Sequence, residues 1–121
     1  MGLLSHVDVR VRHRDRAQRF YDALFAEFGA VREDGPNFTT YQLTPEGDWF
    51  GITEEASPPP GATRIALRAR DRAQVDRVAA LLRACGSGNV EMDDGMYGPG
   101  YYAVFFEDPD GNALEVCFVD S

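Results

Sequence analysis

The sequence predicts an α+β protein built from two modules of the same order, each a strand, a helix and three further strands. The pentapeptide RDRAQ occurs at Arg14–Gln18 and again at Arg70–Gln74, and an alternating stretch precedes each copy while an amphipathic segment follows it. The continuations also match, since GAVREDG at Gly29–Gly35 resembles GNVEMDDG at Gly88–Gly95. Three consecutive prolines lie between the halves, and they fit neither a helix nor a sheet interior.

Chain length sets the domain organisation that we expect. A chain of 121 residues provides one hydrophobic core rather than two ordinary ones, so residues 1–121 are interpreted as a single domain. Within it, the repeat predicts module one at residues 1–55, a proline-rich linker at 56–62 and module two at 63–121. One module alone would leave a face of its sheet uncovered, so we expect the two to pair.

The elements of module one follow from the spacing of its apolar residues. Valines alternate with polar residues at His6–Val11, which predicts a strand. Asp15 is the expected N-cap of the following helix, whose apolar side chains recur at helical spacing up to a stop at Gly29. Three shorter strands are expected after it, at about Ala30–Glu33, Phe38–Leu43 and Trp49–Thr53.

Module two repeats this order. A strand is expected at Arg64–Ala69, and a helix that begins at Asp71 is expected to bury one apolar face. The residues of that face are Val75, Val78, Leu82 and Cys85. Strands are then expected near Val90–Met92, Tyr101–Glu107 and Ala113–Val119, with a turn at Asp108–Gly111 before the last one.

Composition excludes several classes of function. The net charge of −8 disfavours nucleic acid as a partner, and the basic stretch RVRHRDRAQR is interpreted as a solvated helix entrance. The absence of lysine excludes Schiff-base chemistry and P-loop nucleotide binding. The sequence has no apolar run near the roughly 20 residues of a membrane span and no signal-peptide layout at its N-terminus. With only two cysteines, the chain is expected in the cytoplasm without a membrane partner.

The chain resembles the vicinal oxygen chelate superfamily, which includes glyoxalase I, bleomycin-resistance proteins and extradiol dioxygenases. The resemblance rests on HVDVRV before FYDALFAEFG, on RIALRARDRAQVD, and above all on FFEDPDGNALEV near the end. It implies a curved mixed sheet, formed by the two βαβββ modules around a cavity with the helices outside. It also implies a divalent metal in that cavity, chelated by neighbouring oxygens of the substrate. Because such modules pair and each exposes sheet edges, a homodimer is expected.

The metal ligands that this resemblance implies are His6 on the first strand and Glu115 on the last. Arg64 aligns with His6 and Gly51 aligns with Glu115, and neither can donate to a metal. Catalytic sites commonly use three or more protein donors, so a divalent metal is disfavoured and the cofactor is left open. The alternative for this position is an ion pair between Arg64 and Glu115 that occupies the site.

A ligand pocket is predicted on the sheet face that bears these positions. Its residues are His6, Asp8, Arg10, Trp49, Arg64, Arg68, Tyr97, Tyr101 and Cys117. Glu115 is the candidate catalytic residue, because a carboxylate inside an apolar strand needs a partner or a wet cavity. His6 has the alternative of a surface or hydrogen-bonded core histidine. The segment Gly95–Tyr102 is interpreted either as a lid over an organic ligand or as a loop covering the core edge.

Three functions follow from these observations. The first is a protein of the bleomycin-resistance kind that binds a small organic ligand and has an incomplete metal site. The second is a metal-dependent lyase or dioxygenase acting on a substrate with vicinal oxygens, and the third is a structural homologue without a pocket. Arg64 disfavours the second, while Trp49 and the tyrosines disfavour the third. The arginines and carboxylates of the predicted pocket leave the charge of the ligand open.

Overall fold

The computed structural model describes residues 2–58 and 61–120. The chain divides into two compact units, residues 1–59 and 60–121, each with one helix and one four-stranded sheet. Unit one contains β1 (His6–Val11), α1 (Arg14–Ala26), β2 (Val31–Asp34), β3 (Phe38–Gln42) and β4 (Trp49–Glu54). Unit two contains β5 (Arg64–Arg68), α2 (Arg72–Ala84), β6 (Glu91–Asp94), β7 (Tyr101–Glu107) and β8 (Ala113–Val119). The predicted α+β class and the βαβββ order of both modules are confirmed.

Both sheets are mixed and have the same topology. Their strand orders are β1-β4-β3-β2 and β5-β8-β7-β6, and neither sheet is closed. In each unit the first strand pairs in parallel with the last strand, while the remaining pairs are antiparallel. The parallel pair forms because the helix between the first and second strands returns the chain to the same end of the sheet.

One face of each sheet packs against the helix of the same unit and forms its core. The helical residues buried there lie three and four positions apart, as expected for one face of a helix. In unit one they are Ala17, Phe20, Tyr21, Leu24 and Phe25, packed with Val9, Val11, Tyr41, Phe50 and Ile52 of the sheet. In unit two they are Val75, Val78, Ala79 and Leu82, packed with Val104, Phe106, Leu114 and Val116.

The two copies of RDRAQ enter their helices at different points. Helix α1 begins at Arg14, the first residue of its copy, whereas α2 begins at Arg72, the third residue of its copy. Asp71 is the N-cap of α2 and accepts a hydrogen bond from a backbone N–H of the first turn at 2.8 Å. The equivalent residue before α1 is His13, whose side chain makes no cap hydrogen bond, so the prediction of Asp15 as N-cap is wrong.

The end of α2 also differs from the prediction. Cys85 is exposed at the C-cap instead of buried on the apolar face, and its thiol donates to the carbonyl of Leu82 at 3.3 Å. The helix stops one residue earlier than the apolar pattern suggests, so this side chain leaves the core. Among the helices of the described residues, none has the length and apolar character that crossing a bilayer requires.

Each sheet has one edge strand that is short and charged, β2 in unit one and β6 in unit two. All four residues of β2, with the sequence VRED, are exposed. In β6, with the sequence EMDD, three residues are exposed and Asp93 is buried. Strands of this kind terminate a sheet, because their charged side chains oppose further strand pairing.

Candidate functional site

We call the sheet face turned away from the helix the polar face of each unit. Side chains alternate between the two faces of a strand, and directly paired residues lie on the same face. The polar face of unit two therefore carries Arg64, Ala66 and Arg68 of β5, Ala113, Glu115, Cys117 and Val119 of β8, Tyr101, Ala103, Phe105 and Glu107 of β7, and Glu91 and Asp93 of β6.

A cavity of about 150 Å³ opens on this face. It is lined by Arg64, Tyr97, Tyr101, Phe105 and Glu115. Pockets that enclose a drug-sized molecule usually measure several hundred Å³, so this cavity has room for one end of such a ligand. Its lining combines aromatic rings with one cation and one carboxyl group, which suits a small molecule with both apolar and polar parts.

Glu115 lies at the base of the cavity and is only 6% exposed. The hydroxyl of Tyr101 donates a hydrogen bond to its carboxylate. Burial raises the pKa of Glu115 above its ordinary value, and the negative charge of Asp93 acts in the same direction. The positive charge of Arg64 and a hydrogen bond from the Cys117 thiol oppose this shift in pKa. Glu115 therefore keeps its proton to a higher pH than an exposed carboxyl group would.

Arg64 is held by an aromatic ring. Its guanidinium carbon lies 4.6 Å from the centroid of the Phe105 ring. A cation over a ring face is attracted by about 0.5–1 kcal/mol at an exposed site. Within the described part of the chain, Arg64 forms no ion pair with Glu115, so the structure differs from the pairing that the sequence left as an alternative.

Tyr97 lines the cavity from the loop before β7. Its ring centroid lies 5.7 Å from that of Tyr101 and 5.8 Å from that of Phe105, while 68% of the residue remains exposed. The loop that carries it needs glycine at Gly100, where φ is +81° and a Cβ atom would approach the carbonyl oxygen of Asp120 to 2.9 Å. Tyr97 thus adds an aromatic wall that the sheet itself does not supply.

The polar face of unit one is built differently, and its aromatic residues pack on each other. The rings of His6 and Trp49 are parallel within 2°, with centroids 4.1 Å apart. His6 lies opposite Trp49 in the parallel pairing of β1 and β4, which brings the two rings together. The Nδ1 atom of His6 lies 3.1 Å from the hydroxyl oxygen of Ser5. On the surface of the sheet, the ring of His6 is therefore stacked on Trp49 and hydrogen-bonded to Ser5.

The charged residues of the same face bind one another. Asp8 accepts hydrogen bonds from the hydroxyl of Thr53 at 2.7 Å and from Nε of Arg10 at 3.1 Å. A second nitrogen of Arg10 donates to Glu55 at 3.4 Å. Asp8 and Arg10 were predicted as pocket residues, and the structure places them in this network with each other.

Gly51 occupies the place in β4 that Glu115 occupies in β8. Each is the third residue of the last strand in its unit and lies opposite the third residue of the first strand. A Cβ atom at Gly51 would lie 2.6 Å from Cζ3 of Trp49 and 2.9 Å from Oδ1 of Asp8. The indole ring thus takes the space that a ligand side chain at this position would need.

The donors that the resemblance implies do not fit a divalent metal. Gly51 has no side chain and is covered by an indole ring, and Arg64 brings a positive charge. Glu115 already accepts hydrogen bonds from two neighbours. Across the part of the chain that the structure describes, no three His, Cys, Asp or Glu side chains are grouped closely enough to hold a metal ion. Two of the four positions at which the family resemblance implies metal ligands, Gly51 and Arg64, therefore carry residues that cannot donate to a metal.

The predicted site residues fall into two groups. His6, Asp8, Arg10 and Trp49 lie on the polar face of unit one, and Arg64, Arg68, Tyr97, Tyr101, Glu115 and Cys117 belong to unit two. Cys117 lies on the same face as Glu115 without lining the cavity.

Sequence analysis missed two residues of the polar face of unit two, Phe105 and Asp93. Phe105 lies directly opposite Glu115 in the antiparallel pairing of β7 and β8. Asp93 is a buried carboxylate in a strand of only four residues. The alternation of Tyr101, Ala103 and Phe105 could have indicated the first, whereas β6 is too short for periodicity to indicate the second.

The sequence model of the Glyoxalase/Bleomycin resistance protein/Dioxygenase superfamily matches residues 3–116. A glyoxalase/bleomycin resistance protein from Albidiferax ferrireducens T118 is similar in structure, with a TM-score of 0.83 and 25% sequence identity over 97% of this chain and 98% of that one. The fosfomycin resistance protein FosX from Listeria monocytogenes is similar with a TM-score of 0.73 and 20% identity, over 98% of this chain and 93% of that one.

A mutant of the same Listeria protein, solved with Mn(II) and 1S,2S-dihydroxypropylphosphonic acid, has a TM-score of 0.72 and 21% identity, over 96% of this chain and 89% of that one. No curated protein matches the sequence. The family match covers most of the chain, and both units have the βαβββ order expected for it. The chain therefore belongs to the glyoxalase/bleomycin resistance protein/dioxygenase superfamily.

Proposed function

We propose that this protein binds a small organic molecule without a metal ion, and that the polar face of unit two supplies the binding residues. The observation that supports the proposal most directly is the cavity lined by Tyr97, Tyr101 and Phe105 together with Arg64 and Glu115. Aromatic rings bury apolar surface at low entropic cost, and the two polar groups fix the orientation of a ligand.

The absence of a complete donor set supports binding without a metal. An Arg at position 64 repels a divalent cation, and the ring of Trp49 fills the space beside Gly51. In the place of metal–ligand bonds, the proposed site offers a guanidinium for an anionic or carbonyl oxygen and a carboxyl group for an N–H or O–H donor.

A screen of EDTA-treated protein by thermal shift tests this proposal. A library of small acids, amines and thiol conjugates is expected to contain ligands that raise Tm, since a ligand at 100 times its Kd stabilises by about 2.7 kcal/mol. Tyr101→Phe removes the hydroxyl that binds Glu115 and is expected to weaken each hit. Tyr102→Phe makes the same change on the helix-facing side of β7 and serves as the control. A library without any stabilising compound would contradict the proposal.

A metal-dependent lyase or dioxygenase is the second candidate, and the retention of both His6 and Glu115 favours it. Titration calorimetry with Zn²⁺, Ni²⁺ and Mn²⁺ separates the two candidates. The unmodified protein is expected to bind these ions weakly, and Arg64→His is expected to raise the affinity at least tenfold, about 1.4 kcal/mol. Arg68→His, the same change four residues along β5, is the control. Submicromolar binding of one of these ions by the unmodified protein would favour the metal-dependent lyase or dioxygenase over metal-free ligand binding.

We also propose that the protein is a homodimer. The first strand of each unit lies at a sheet edge and so leaves backbone groups available for pairing with another chain. Sedimentation at micromolar concentration is expected to give twice the mass of one chain, and a monomer mass would count against the proposal.

A further inference from the structure

The cavity on the polar face of unit two has the size of one aromatic ring. Its volume is about 150 Å³, and a cavity of about 150 Å³ inside a protein holds one benzene molecule. The side chains that line it can be reached from solvent, since Arg64 and Tyr97 are exposed and Tyr101 and Phe105 are half-buried. A ligand with one ring can therefore enter the cavity and contact these side chains.

Three walls of the cavity are aromatic rings that are not parallel to one another. The ring of Tyr97 is inclined by 57° to that of Tyr101 and by 51° to that of Phe105, with centroids 5.7 and 5.8 Å apart. Aromatic pairs favour inclined or offset arrangements at such distances, because the positive edge of one ring meets the negative face of the other. A planar aromatic ring therefore suits these walls better than an aliphatic group of similar size.

Arg64 supplies the cavity with a positive charge that has no anionic partner. The described residues give Arg64 neither a hydrogen bond nor an ion pair, and its contact with the Phe105 ring leaves its N–H donors without an acceptor in the protein. Other arginines of the chain are paired, among them Arg32 with Asp22 and Asp34. A guanidinium binds a carboxylate through two parallel hydrogen bonds, so Arg64 suits the carboxylate of a ligand.

The carboxyl group of Glu115 does not offer an equivalent place for a cationic ligand. It accepts hydrogen bonds from the hydroxyl of Tyr101 and the thiol of Cys117, and only 6% of the residue is exposed. An amine in the cavity would compete with these donors and would lie near the positive charge of Arg64. The cavity therefore favours an anionic ligand over a cationic one.

We propose that this cavity binds an aromatic carboxylate, with its ring against Tyr97, Tyr101 and Phe105 and its carboxylate on Arg64. This inference rests on the proposed function and names the chemical class of the ligand. A neutral aromatic compound would leave the guanidinium without an anion, and an aliphatic acid would lose the contacts between rings. Such binding requires neither a metal ion nor neighbouring oxygens on the ligand.

Titration of the EDTA-treated full chain with three matched probes, followed by NMR, tests the inference. The probes are benzoate, which has the ring and the charge, benzamide, which has the ring without the charge, and cyclohexanecarboxylate, which has the charge without a planar ring. We expect the Kd of benzoate to be at least fivefold lower than that of benzamide and at least threefold lower than that of cyclohexanecarboxylate. A smaller preference over either compound, or no detectable binding of benzoate, would overturn the inference.

Substitutions of two lining residues assign the contacts. Arg64→Gln is expected to weaken binding of benzoate at least fivefold and to leave benzamide unchanged. Its control is Arg68→Gln, the same change on the same face of β5 outside the cavity. Tyr97→Ala is expected to weaken benzoate and benzamide alike, by at least threefold. Its control is Met96→Ala, which shortens the neighbouring exposed side chain, also outside the cavity.

The amide signals in the same NMR spectra separate binding from folding. Arg64 and Tyr97 are exposed, so both variants are expected to keep the signal dispersion of the parent. An unchanged Kd of benzoate in folded Arg64→Gln or in folded Tyr97→Ala would contradict the inference. If benzoate fails while other library members bind and are weakened by Tyr101→Phe, only the inference is lost. A library without any ligand would remove the proposed function as well.

Discussion

The two units have the same strand order and helices of equal length, yet their polar faces are used differently. In unit one the charged residues pair with each other, as Asp8 does with Arg10 and Thr53. In unit two, Arg68 and the Oδ2 atom of Asp93 have no such partners among the described residues. In one copy of the module the charged groups therefore pair within their own surface, while the other copy leaves some of its charged groups without a partner among the described residues.

The difference is clearest at two positions of the last strand. In β4, Trp49 is followed two residues later by Gly51, so a large ring covers a position without a side chain. In β8, Ala113 is followed two residues later by Glu115, so a small side chain precedes a carboxyl group that lines the cavity. The two last strands therefore place a large ring and a small methyl group at equivalent positions.

The largest expected effect comes from filling the space beneath Trp49. Gly51→Ala places a Cβ atom 2.6 Å from the indole ring, which must move away from its stack on His6. We expect a loss of about 1–3 kcal/mol in the free energy of unfolding by urea. Gly61→Ala, where a Cβ atom meets nothing within 4 Å, is the control. Adding Trp49→Ala to Gly51→Ala is expected to recover part of the loss, and a Gly51→Ala protein as stable as its parent would contradict the crowding.

A smaller effect is expected at the helix entrances. Asp71→Ala removes the side-chain cap of α2 and should cost about 1 kcal/mol, whereas His13→Ala should change stability by less than about 0.5 kcal/mol. His13→Asp is expected to stabilise the protein, because the extended backbone at His13, with φ −130° and ψ 109°, already suits a cap. Urea unfolding measures all three, and equal losses for the two alanine variants would contradict the assignment of His13 as the uncapped equivalent of Asp71.

The smallest expected effect is a pH dependence in unit two. Burial raises the pKa of Glu115 in the folded protein above its ordinary value of 4.5, so the native state binds this proton more tightly than the unfolded chain does. The stability that the proton provides is present below pH 4.5 and is lost as pH rises through the folded pKa. Glu115→Gln has no proton to lose at this position. The Tm of Glu115→Gln minus the Tm of the parent should therefore increase as pH rises from 4 to 8.

A control two strands away in the same sheet separates this effect from a general change in charge. Glu91→Gln removes an exposed carboxylate from β6 and is compared with Glu115→Gln over the same pH range. A difference in Tm between Glu115→Gln and the parent that stays constant with pH would contradict the assignment.

Periodicity, together with the internal repeat, was sufficient to predict both helices and all eight strands, because most of these elements bury one face and so repeat their apolar residues every two or every three to four positions. It was not sufficient for the entrance of α1. The pentapeptide RDRAQ matches in sequence while the structural repeat runs two residues out of step, so Asp15 lies inside the first turn and His13 takes the position of Asp71.

The candidate site was only partly predictable for a related reason. Strand phase assigned Glu115 to the polar face, but the residues around it depend on the antiparallel register of β7 and β8. That register places Phe105 opposite Glu115, and Phe105 in turn holds Arg64 away from an ion pair. A sequence shows which residues share a strand face, whereas cross-strand neighbours are set by how the turn at Asp108–Gly111 closes.

The charged outer strands have a consequence for the protein in a crowded solution. An exposed strand edge is a template on which another molecule can add a strand, and long ordered aggregates grow in this way. Here one of the two edges of each sheet has only four residues, VRED in β2 and EMDD in β6, and both segments carry more acidic than basic groups. Two such edges repel each other and offer few backbone groups, so the same short segments that complete the sheets also keep copies of the protein from polymerising through them.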